Sequence, residues 1–306
     1  MLRSARTVLL AVATVSFLSL TARAALVNVS AFGDQGWLSD DTRNAGGVNL
    51  VGINDTHAGN PGQVPTAADD TAIASQIQFV AGPAGSTYGG AVSMDGTSSN
   101  SGKSNYSVID ISSGFATGAS LTTFSAQYEW YGQPNPTTRT LAFKLGIQST
   151  NWGTGSGQSQ ATFTATRSGE SAWDLVLVYT PATSDNAWST VNVDHDSGTW
   201  FLFGQAGNTY YTAPGGAVGT DKTLDDWAND ATWGPLLFGA GAKVTSIQFG
   251  LGSSQKSSIA YLDYLQTNLL NGGDVINFTN VPEPGSFALA AIGFLGLVGG
   301  ALSRKS

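Results

Sequence analysis

The sequence predicts an all-β protein, an antiparallel sandwich of two sheets, with a processing segment at each end. Several short segments alternate apolar and polar residues with a period of two, which is typical of strands with one buried face. Charged residues form only 11% of the chain, against about a quarter in ordinary globular domains. Gly, Ser, Thr and Asn take their place, and they favour short strands and tight turns over helices.

The N-terminal segment is typical of a secretory signal peptide. Two arginines precede an apolar stretch at residues 8–20, and Ala22 and Ala24 supply the small residues of an A-x-A cleavage site. We therefore expect residues 1–24 to be removed by cleavage after Ala24.

Residues 25–280 contain the predicted strands. The clearest lies at residues 124–131, where Phe124, Ala126, Tyr128 and Trp130 alternate with mainly polar residues. Further strands are predicted at residues 140–147, 173–179, 200–204, 244–251 and 259–266. We interpret the last two as a pair split by the turn-rich residues 252–258. A short helix is predicted at residues 223–229, and residues 41–72 are expected to be long loops. The architecture indicated is a jelly roll.

The charge of this central region limits its partners. The whole chain has a net charge of −8, but five of its 13 basic residues and only one of its 21 acidic residues lie in the two end segments. Residues 25–280 therefore carry 8 basic and 20 acidic residues, a net charge of −12. Such a surface repels phosphate backbones, so we expect no nucleic-acid partner. The chain has no cysteine, which excludes disulfides and thiolate chemistry.

Motifs for catalysis are missing from the sequence. It contains neither Gly-x-Ser-x-Gly nor His-Glu-x-x-His, and its two histidines stand apart. Glycosidases need two facing carboxylates, but the only glutamates of the central region, Glu129 and Glu170, are far apart in the sequence. We therefore expect no catalytic residues, although aspartates would be available to a hydrolase or lyase.

One acidic segment has the composition of a calcium site. Asn192, Asp194 and Asp196 alternate before Ser197-Gly198, so three oxygen ligands could face one cation. A plain hairpin turn explains the same pattern. Asp263 is a further candidate ligand. We expect that the protein requires no cofactor. If calcium binds, we expect it to stabilise loops.

The tryptophans suggest a ligand with apolar faces and hydroxyl groups. All eight lie within residues 25–280. Trp130, Trp173 and Trp200 belong to apolar strand faces and are expected in the core. The candidates for stacking on a sugar ring lie in polar stretches instead, and they are Trp37, Trp152 and Trp188.

The C-terminal segment has three consecutive parts. The first consists of Val281, Pro282, Glu283 and Pro284. An uncharged stretch then reaches residue 303, about the length that a helix needs to cross a membrane. Arg304 and Lys305 follow, and basic residues mark the cytoplasmic end of a span. We therefore predict one transmembrane helix, with residues 25–280 on the far side of the membrane.

This arrangement at residues 281–306 resembles the PEP-CTERM sorting signal of exported proteins of Gram-negative bacteria. The resemblance implies an exosortase-like membrane peptidase as partner, a transient stay in the inner membrane, and a final location at the cell surface or outside the cell. Proteins of this class are tied to exopolysaccharide production and to biofilm or floc formation, so the resemblance also implies that context.

A second resemblance covers residues 244–251 and 261–264, which look like the last strands of lectin-like and carbohydrate-binding jelly rolls. In those folds an Asp in the position of Asp263 sometimes binds calcium. Three functions remain open: a non-catalytic surface or matrix protein that interacts with exopolysaccharide, an adhesive or structural protein that binds protein, solid surfaces or ice, and a polysaccharide-active hydrolase or lyase.

Overall fold

A computed structural model shows the fold of the chain. It describes residues 25–39, 42, 50, 66–97, 104–110, 113–133, 140–151, 175–182, 184–206, 209–212, 221–251, 258–270 and 273–279. The predicted signal peptide, with Ala22 and Ala24, and the predicted C-terminal helix, with Val281, Pro282, Glu283, Pro284, Arg304 and Lys305, lie outside these residues. Within the described ranges, no helix has the length and apolar character that a membrane crossing requires.

The described residues are mainly strands. In chain order these are β1 (Leu26–Val29), β2 (Trp37–Ser39), β3 (Ile77–Val80), β4 (Ala91–Asp95), β5 (Ser104–Ile109), β6 (Ala116–Thr117), β7 (Ser125–Gln133), β8 (Ala142–Ser149), β9 (Leu175–Tyr179), β10 (Trp188–Asp194), β11 (Trp200–Ala206), β12 (Thr209–Thr212), β13 (Ala242–Leu251), β14 (Ile259–Thr267) and β15 (Val275–Phe278). The helices are α1 (Ala67–Gln76), α2 (Leu224–Ala228) and α3 (Gly234–Phe238), with 3-10 turns at Asp34–Gly36 and Gly118–Thr123.

The strands form two sheets. In sheet A, β14 lies between β7 on one side and both β4 and β15 on the other, with β10, β3 and β1 at the edges. Sheet B has the order β12-β11-β9-β8-β13-β5-β2, and β6 pairs with one end of β13. The β1–β15 pair is parallel and the other pairs are antiparallel.

The two sheets pack face to face around one apolar core. On β7 the predicted inward residues Ala126, Tyr128 and Trp130 are all buried. The Tyr128 ring of sheet A contacts Phe143 and Phe249 of sheet B, with ring centres 5.7 and 5.1 Å apart. The period-two alternation therefore identified the core face of this strand correctly, and the prediction of an all-β, mainly antiparallel fold of two sheets is confirmed. The jelly-roll topology stays a prediction.

Two sequence-based expectations are wrong. β13 and β14, interpreted as a pair, belong to different sheets. Each strand contributes one face to the core, and the two faces come from opposite sides. Residues 67–72, expected at the end of the long loops of residues 41–72, belong to helix α1. Its first turn is capped by the Thr66 hydroxyl oxygen, which accepts a hydrogen bond from the Asp69 amide at 3.0 Å. The predicted helix at residues 223–229 is confirmed as α2, with the same type of cap at Thr223.

Candidate functional site

The outer face of sheet A, turned away from the core, combines aromatic and polar side chains. It is built by the residues of β7, β10 and β14 that alternate with the buried ones. On β7 these are Gln127, Glu129 and Tyr131. In the antiparallel registers, Tyr131 lies beside Tyr261 of β14 and beside Trp188 of β10. One level of the sheet therefore carries three aromatic side chains in a row across three strands.

This aromatic row is in mutual contact and partly open to solvent. The ring centres of Tyr261 and Tyr131 are 5.9 Å apart, and those of Tyr131 and Trp188 are 5.5 Å apart. All three side chains are half-buried. The rings meet at 78° and 59°, so they form a stepped surface with several ring faces and edges.

A cleft of about 450 Å³ opens beside the row. Its walls come from β3, β4, β7, β14 and residues 81–83, and they include Gln78, Ser93, Asp95, Gln133, Pro83 and Tyr261. Amide, hydroxyl and carboxyl groups thus line the cleft together with a tyrosine ring. A ligand that has both apolar faces and hydroxyl groups fits such a lining.

A β-bulge in β14 shapes the next level of the outer face. Leu262 pairs with Trp130, but Tyr264 pairs with Glu129, so Asp263 is the extra residue. Because of the bulge, Leu262 and Leu265 both enter the core although they are three residues apart. Asp263 is directed to the Glu129 side, which is how bulges commonly redirect a side chain.

Glu129 and Asp263 form a buried pair of carboxyl groups. Glu129 is 7% exposed and Asp263 is fully buried. Burial and a hydrogen bond to the Glu129 side chain raise the pKa of Asp263 to about 7. Among the described residues, no N–H or hydroxyl group donates to Asp263 Oδ1. A hydrogen bond between two carboxyl groups requires a proton on one of them, and the raised pKa of Asp263 means that Asp263 holds this proton in acidic solution.

The loop of residues 81–90, between β3 and β4, covers this carboxyl pair. The Thr87 amide donates to Glu129 Oε2 and the Tyr88 amide donates to Asp263 Oδ2, both at 3.0 Å. The loop also contacts the aromatic row, because the Trp188 indole N–H donates to the Pro83 carbonyl oxygen at 3.1 Å. The 81–90 loop is thus attached to three strands of sheet A.

The same loop presents an aromatic side chain to solvent. Tyr88 is 39% exposed. Its ring contacts Tyr264 edge to face, with the ring centres 5.4 Å apart. Tyr88 therefore extends the aromatic surface beyond the row, on a support that is itself buried.

A second, polar cleft of about 320 Å³ lies beyond Tyr264 on the same face. The Tyr264 hydroxyl donates to Gln127 Oε1 at 3.0 Å, and Gln127 Nε2 donates to Asn192 Oδ1 at 2.7 Å. These bonds fix the orientation of the cleft wall. The outer face therefore continues as a polar surface past the 81–90 loop.

The three tryptophans predicted as ligand contacts have different locations. Trp188 belongs to the aromatic row described above. The prediction that Trp37 contacts a ligand is wrong. Trp37 lies in β2 and is 1% exposed, and its ring centre is 5.2 Å from that of Tyr106 and 5.0 Å from that of Phe278, so it offers no face to a ligand. Trp152 and the predicted core residue Trp173 lie outside the described residues. Trp130 and Trp200 are buried, as predicted.

The candidate calcium ligands already have protein partners. Asn192 Oδ1 accepts from Gln127, and Asp194 Oδ1 accepts from the Ser197 amide at 2.8 Å and from its hydroxyl. Asp196 is hydrogen-bonded to Asp194, which raises its pKa. Residues 195–199 connect β10 of sheet A to β11 of sheet B, so the turn crosses between sheets and does not form a hairpin. No group of three or more His, Asp or Glu side chains suited to a metal occurs within the described ranges.

Sequence reasoning missed Glu129, Tyr131, Tyr261 and Tyr88 as site residues. A signal existed for Tyr131, because an aromatic residue in the polar phase of a strand is directed away from the core. Glu129 gives no sign of a carboxyl pair in the sequence, because the other glutamate of the central region, Glu170, is distant. Its partner in space is an aspartate. Likewise His195, isolated in the sequence, has its Nδ1 atom 3.0 Å from Asp225 Oδ1.

Comparison with known proteins identifies the C-terminal segment. Residues 280–305 match the PEP-CTERM protein-sorting motif, which confirms the resemblance seen in the sequence. The motif marks the chain as an exported, cell-envelope-associated protein. Among curated proteins, none matches this sequence.

Several solved structures are weakly similar to this chain. A family 11 carbohydrate-binding module from Clostridium thermocellum, in complex with a β-1,3-1,4-mixed-linked tetrasaccharide, is 16% identical, with a TM-score of 0.32, over 67% of this chain and 84% of the module. An arabinose-bound α-L-arabinofuranosidase is 12% identical, with a TM-score of 0.30, over 82% of this chain and 31% of that enzyme. A putative glycoside hydrolase from Bacteroides thetaiotaomicron is 10% identical, with a TM-score of 0.30, over 72% of this chain and 60% of that protein.

Proposed function

We propose that this exported protein is a non-catalytic, polysaccharide-binding protein of the cell surface or extracellular matrix. The observation that supports this function is the outer face of sheet A. There the half-buried row of Trp188, Tyr131 and Tyr261 adjoins a cleft lined by amide and hydroxyl groups. Sugar rings have apolar C–H faces that pack on aromatic rings, and their hydroxyl groups need polar partners.

The charge of the protein favours a neutral polymer. The face itself carries Asp95 in the cleft and Asp194 at the far end, and residues 25–280 have a net charge of −12. An acidic polysaccharide would be repelled at low ionic strength. The proposed ligand is therefore a neutral polysaccharide of the exopolysaccharide matrix in a biofilm or floc.

The carboxyl pair is the feature that would favour a hydrolase, but a hydrogen bond between the two groups leaves less space than that reaction uses. Hydrogen-bonded carboxyl oxygens are about 2.5–3.0 Å apart. The two carboxyl groups of glycosidases are about 5 Å or more apart, so that a sugar or a water molecule fits between them. Glu129 and Asp263 are moreover covered by the 81–90 loop.

Tyr261→Ala and Trp188→Ala are expected to lower the affinity for a bound polysaccharide about tenfold or more, because each removes an aromatic anchor. The full-length chain, in a detergent without sugar groups, is run by affinity electrophoresis in gels containing β-glucan, glucomannan, dextran or starch. Tyr261→Phe keeps the ring and should bind more tightly than Tyr261→Ala. Phe201→Ala, a half-buried aromatic on the outer face of sheet B, is the matched control and should bind as wild type.

Three results would redirect this proposal. Equal retardation of Tyr261→Ala and wild type would place binding elsewhere. Release of reducing sugar from the same polymers would make the protein an enzyme. Binding to protein or solid surfaces without retardation by any glycan would favour the adhesive function.

Sorting of the protein is proposed to follow its C-terminal motif, through processing by an exosortase-like peptidase after transient insertion in the inner membrane. Deletion of residues 281–306 is expected to release the protein into the periplasm or medium, because the segment that retains it is lost. Cell fractionation and immunoblotting measure this. Exchange of Arg304 and Lys305 for Gln should also weaken retention, because these basic residues mark the cytoplasmic end of the predicted span. An intact C-terminus, found by mass spectrometry on protein from a host that has the peptidase, would contradict processing.

A further inference from the structure

The 81–90 loop depends on two buried acids for its position. It is hydrogen-bonded to the central strands of sheet A through the Thr87 amide, which donates to Glu129, and the Tyr88 amide, which donates to Asp263. Hydrogen bonds to charged or proton-sharing carboxyl groups are stronger than those between neutral groups. Both acids lie at the level next to the aromatic row, on the two central strands β7 and β14. The strongest polar contacts of the loop therefore lie directly beneath Tyr88.

The 81–90 loop contributes two residues, Pro83 and Tyr88, to the proposed binding surface. Pro83 lines the cleft and accepts the hydrogen bond of Trp188, while Tyr88 is the exposed aromatic residue next to the row. Gly85 and Gly89 have φ values of +96° and +79°, which L-residues rarely adopt. The turns of the loop thus depend on these two glycines, and its hydrogen bonds to Glu129 and Asp263 attach it to sheet A.

We propose that Glu129 and Asp263 are positioning residues for polysaccharide binding: they hold the 81–90 loop against sheet A and thereby fix Tyr88 and the Pro83 wall of the cleft. This inference rests on the proposed function. Neither acid touches the polysaccharide, because one is 7% exposed and the other is fully buried. They act on binding indirectly, through their hydrogen bonds to the two loop amides.

The geometry explains why a pair of acids, and not a single one, occupies this place. The donors Thr87 N and Tyr88 N are adjacent in the chain and need two acceptors side by side. The bulge at Asp263 brings a second carboxyl group next to Glu129. The shared proton removes the repulsion that two buried carboxylates would otherwise have. The pair is therefore a double acceptor that tolerates burial.

Two matched pairs of variants test this proposal. Asp263→Leu removes the acceptor of the Tyr88 amide, whereas Asp263→Asn keeps an acceptor oxygen and provides an N–H for Glu129. Thr87→Pro removes the N–H that binds Glu129 without altering the buried acids, whereas Thr87→Ala keeps it. Since Thr87 is exposed, the second pair does not endanger folding.

Two measurements are made on the full-length chain in a sugar-free detergent. Hydrogen exchange, followed at the amides of residues 86–89 and at the core amide of Phe143, reports loop opening separately from global unfolding. Affinity electrophoresis in the polysaccharide gel that retards wild type reports binding. Asp263→Leu and Thr87→Pro should exchange faster in the loop and lose affinity about tenfold, because only the fraction with a docked loop binds. Asp263→Asn and Thr87→Ala should match wild type in both measurements.

The outcomes separate this inference from the proposed function. If wild type binds and both Asp263→Leu and Thr87→Pro bind equally well, or if their loop amides exchange at the wild-type rate, the positioning role is overturned. If Asp263→Leu does not fold, the Thr87 pair decides. If wild type binds no polysaccharide, the proposed function fails together with the link to binding. Faster loop exchange in both Asp263→Leu and Thr87→Pro would then still show that the acids hold the loop.

Discussion

Phe143→Ala is expected to lower the free energy of unfolding by about 3–5 kcal/mol, the usual cost of removing a buried phenylalanine. Phe143 of β8 lies at the centre of the core, where its ring contacts those of Phe124, Tyr128, Trp200 and Phe249. Tyr128 belongs to sheet A and the last two residues to sheet B, so the cavity would open between the sheets. Urea unfolding of the full-length chain, followed by tryptophan fluorescence, measures the loss.

The matched control is Leu26→Ala on β1, where the side chain is half exposed. We expect a change below about 1 kcal/mol there, because little apolar surface leaves the core. A loss of similar size in both variants, or none in Phe143→Ala, would mean that sheets A and B do not pack through this residue. A shifted emission of the native state would report the nearby Trp200 ring directly.

The packing that this test examines was largely predictable from the sequence. Alternation at residues 124–131 assigned Tyr128 and Trp130 to the core, because a strand has a strict period of two. The short helix predicted at residues 223–229 is present at residues 224–228, where the Thr223 side chain caps it. In contrast, the placement of β13 and β14 in different sheets was not visible, since a turn-rich connection of a few residues serves a hairpin and a sheet crossing equally well.

The candidate site was less predictable, for physical reasons that concern particular residues. The bulge at Asp263 is a single extra residue in β14, and it only shows as two core leucines out of phase, Leu262 and Leu265. Glu129 and Asp263 meet through strand pairing between distant parts of the chain, which no local pattern encodes. Trp37 shows the opposite error, because its polar neighbours in the sequence hide a buried position.

The carboxyl pair leads to the prediction that the free energy of unfolding falls as the pH rises from about 4 to about 7. In the folded protein the pKa of Asp263 is about 7, because of burial and the hydrogen bond to Glu129. In the unfolded chain the pKa of an aspartate is about 3.9. The folded state therefore holds a proton that the unfolded state has lost, and its stabilising effect, complete below about pH 4, is gone above about pH 7. The slope from one such proton is at most about 1.4 kcal/mol per pH unit.

Two other acids change the free energy of unfolding in a different pH range. Hydrogen bonds from Ser30 lower the pKa of Asp34, and bonds from Lys222 and nearby amides, outweighing desolvation, lower that of Asp230. Their contributions are present above about pH 4 and are lost as the pH falls further. Urea unfolding between pH 5 and pH 8.5 therefore isolates the Asp263 effect from these two.

Asp263→Asn is expected to flatten this dependence. The amide is neutral at every pH, its oxygen can accept from the Tyr88 amide, and its N–H groups can donate to Glu129. The variant should resemble wild type near pH 5 and be the more stable protein at pH 8, where wild type must bury the charged Asp263 carboxylate beside Glu129 and near Tyr88 and Tyr264. Asp185→Asn, at an exposed position, should keep the wild-type slope. A wild-type stability that stays level from pH 5 to pH 8 would show that Glu129 and Asp263 do not share a proton.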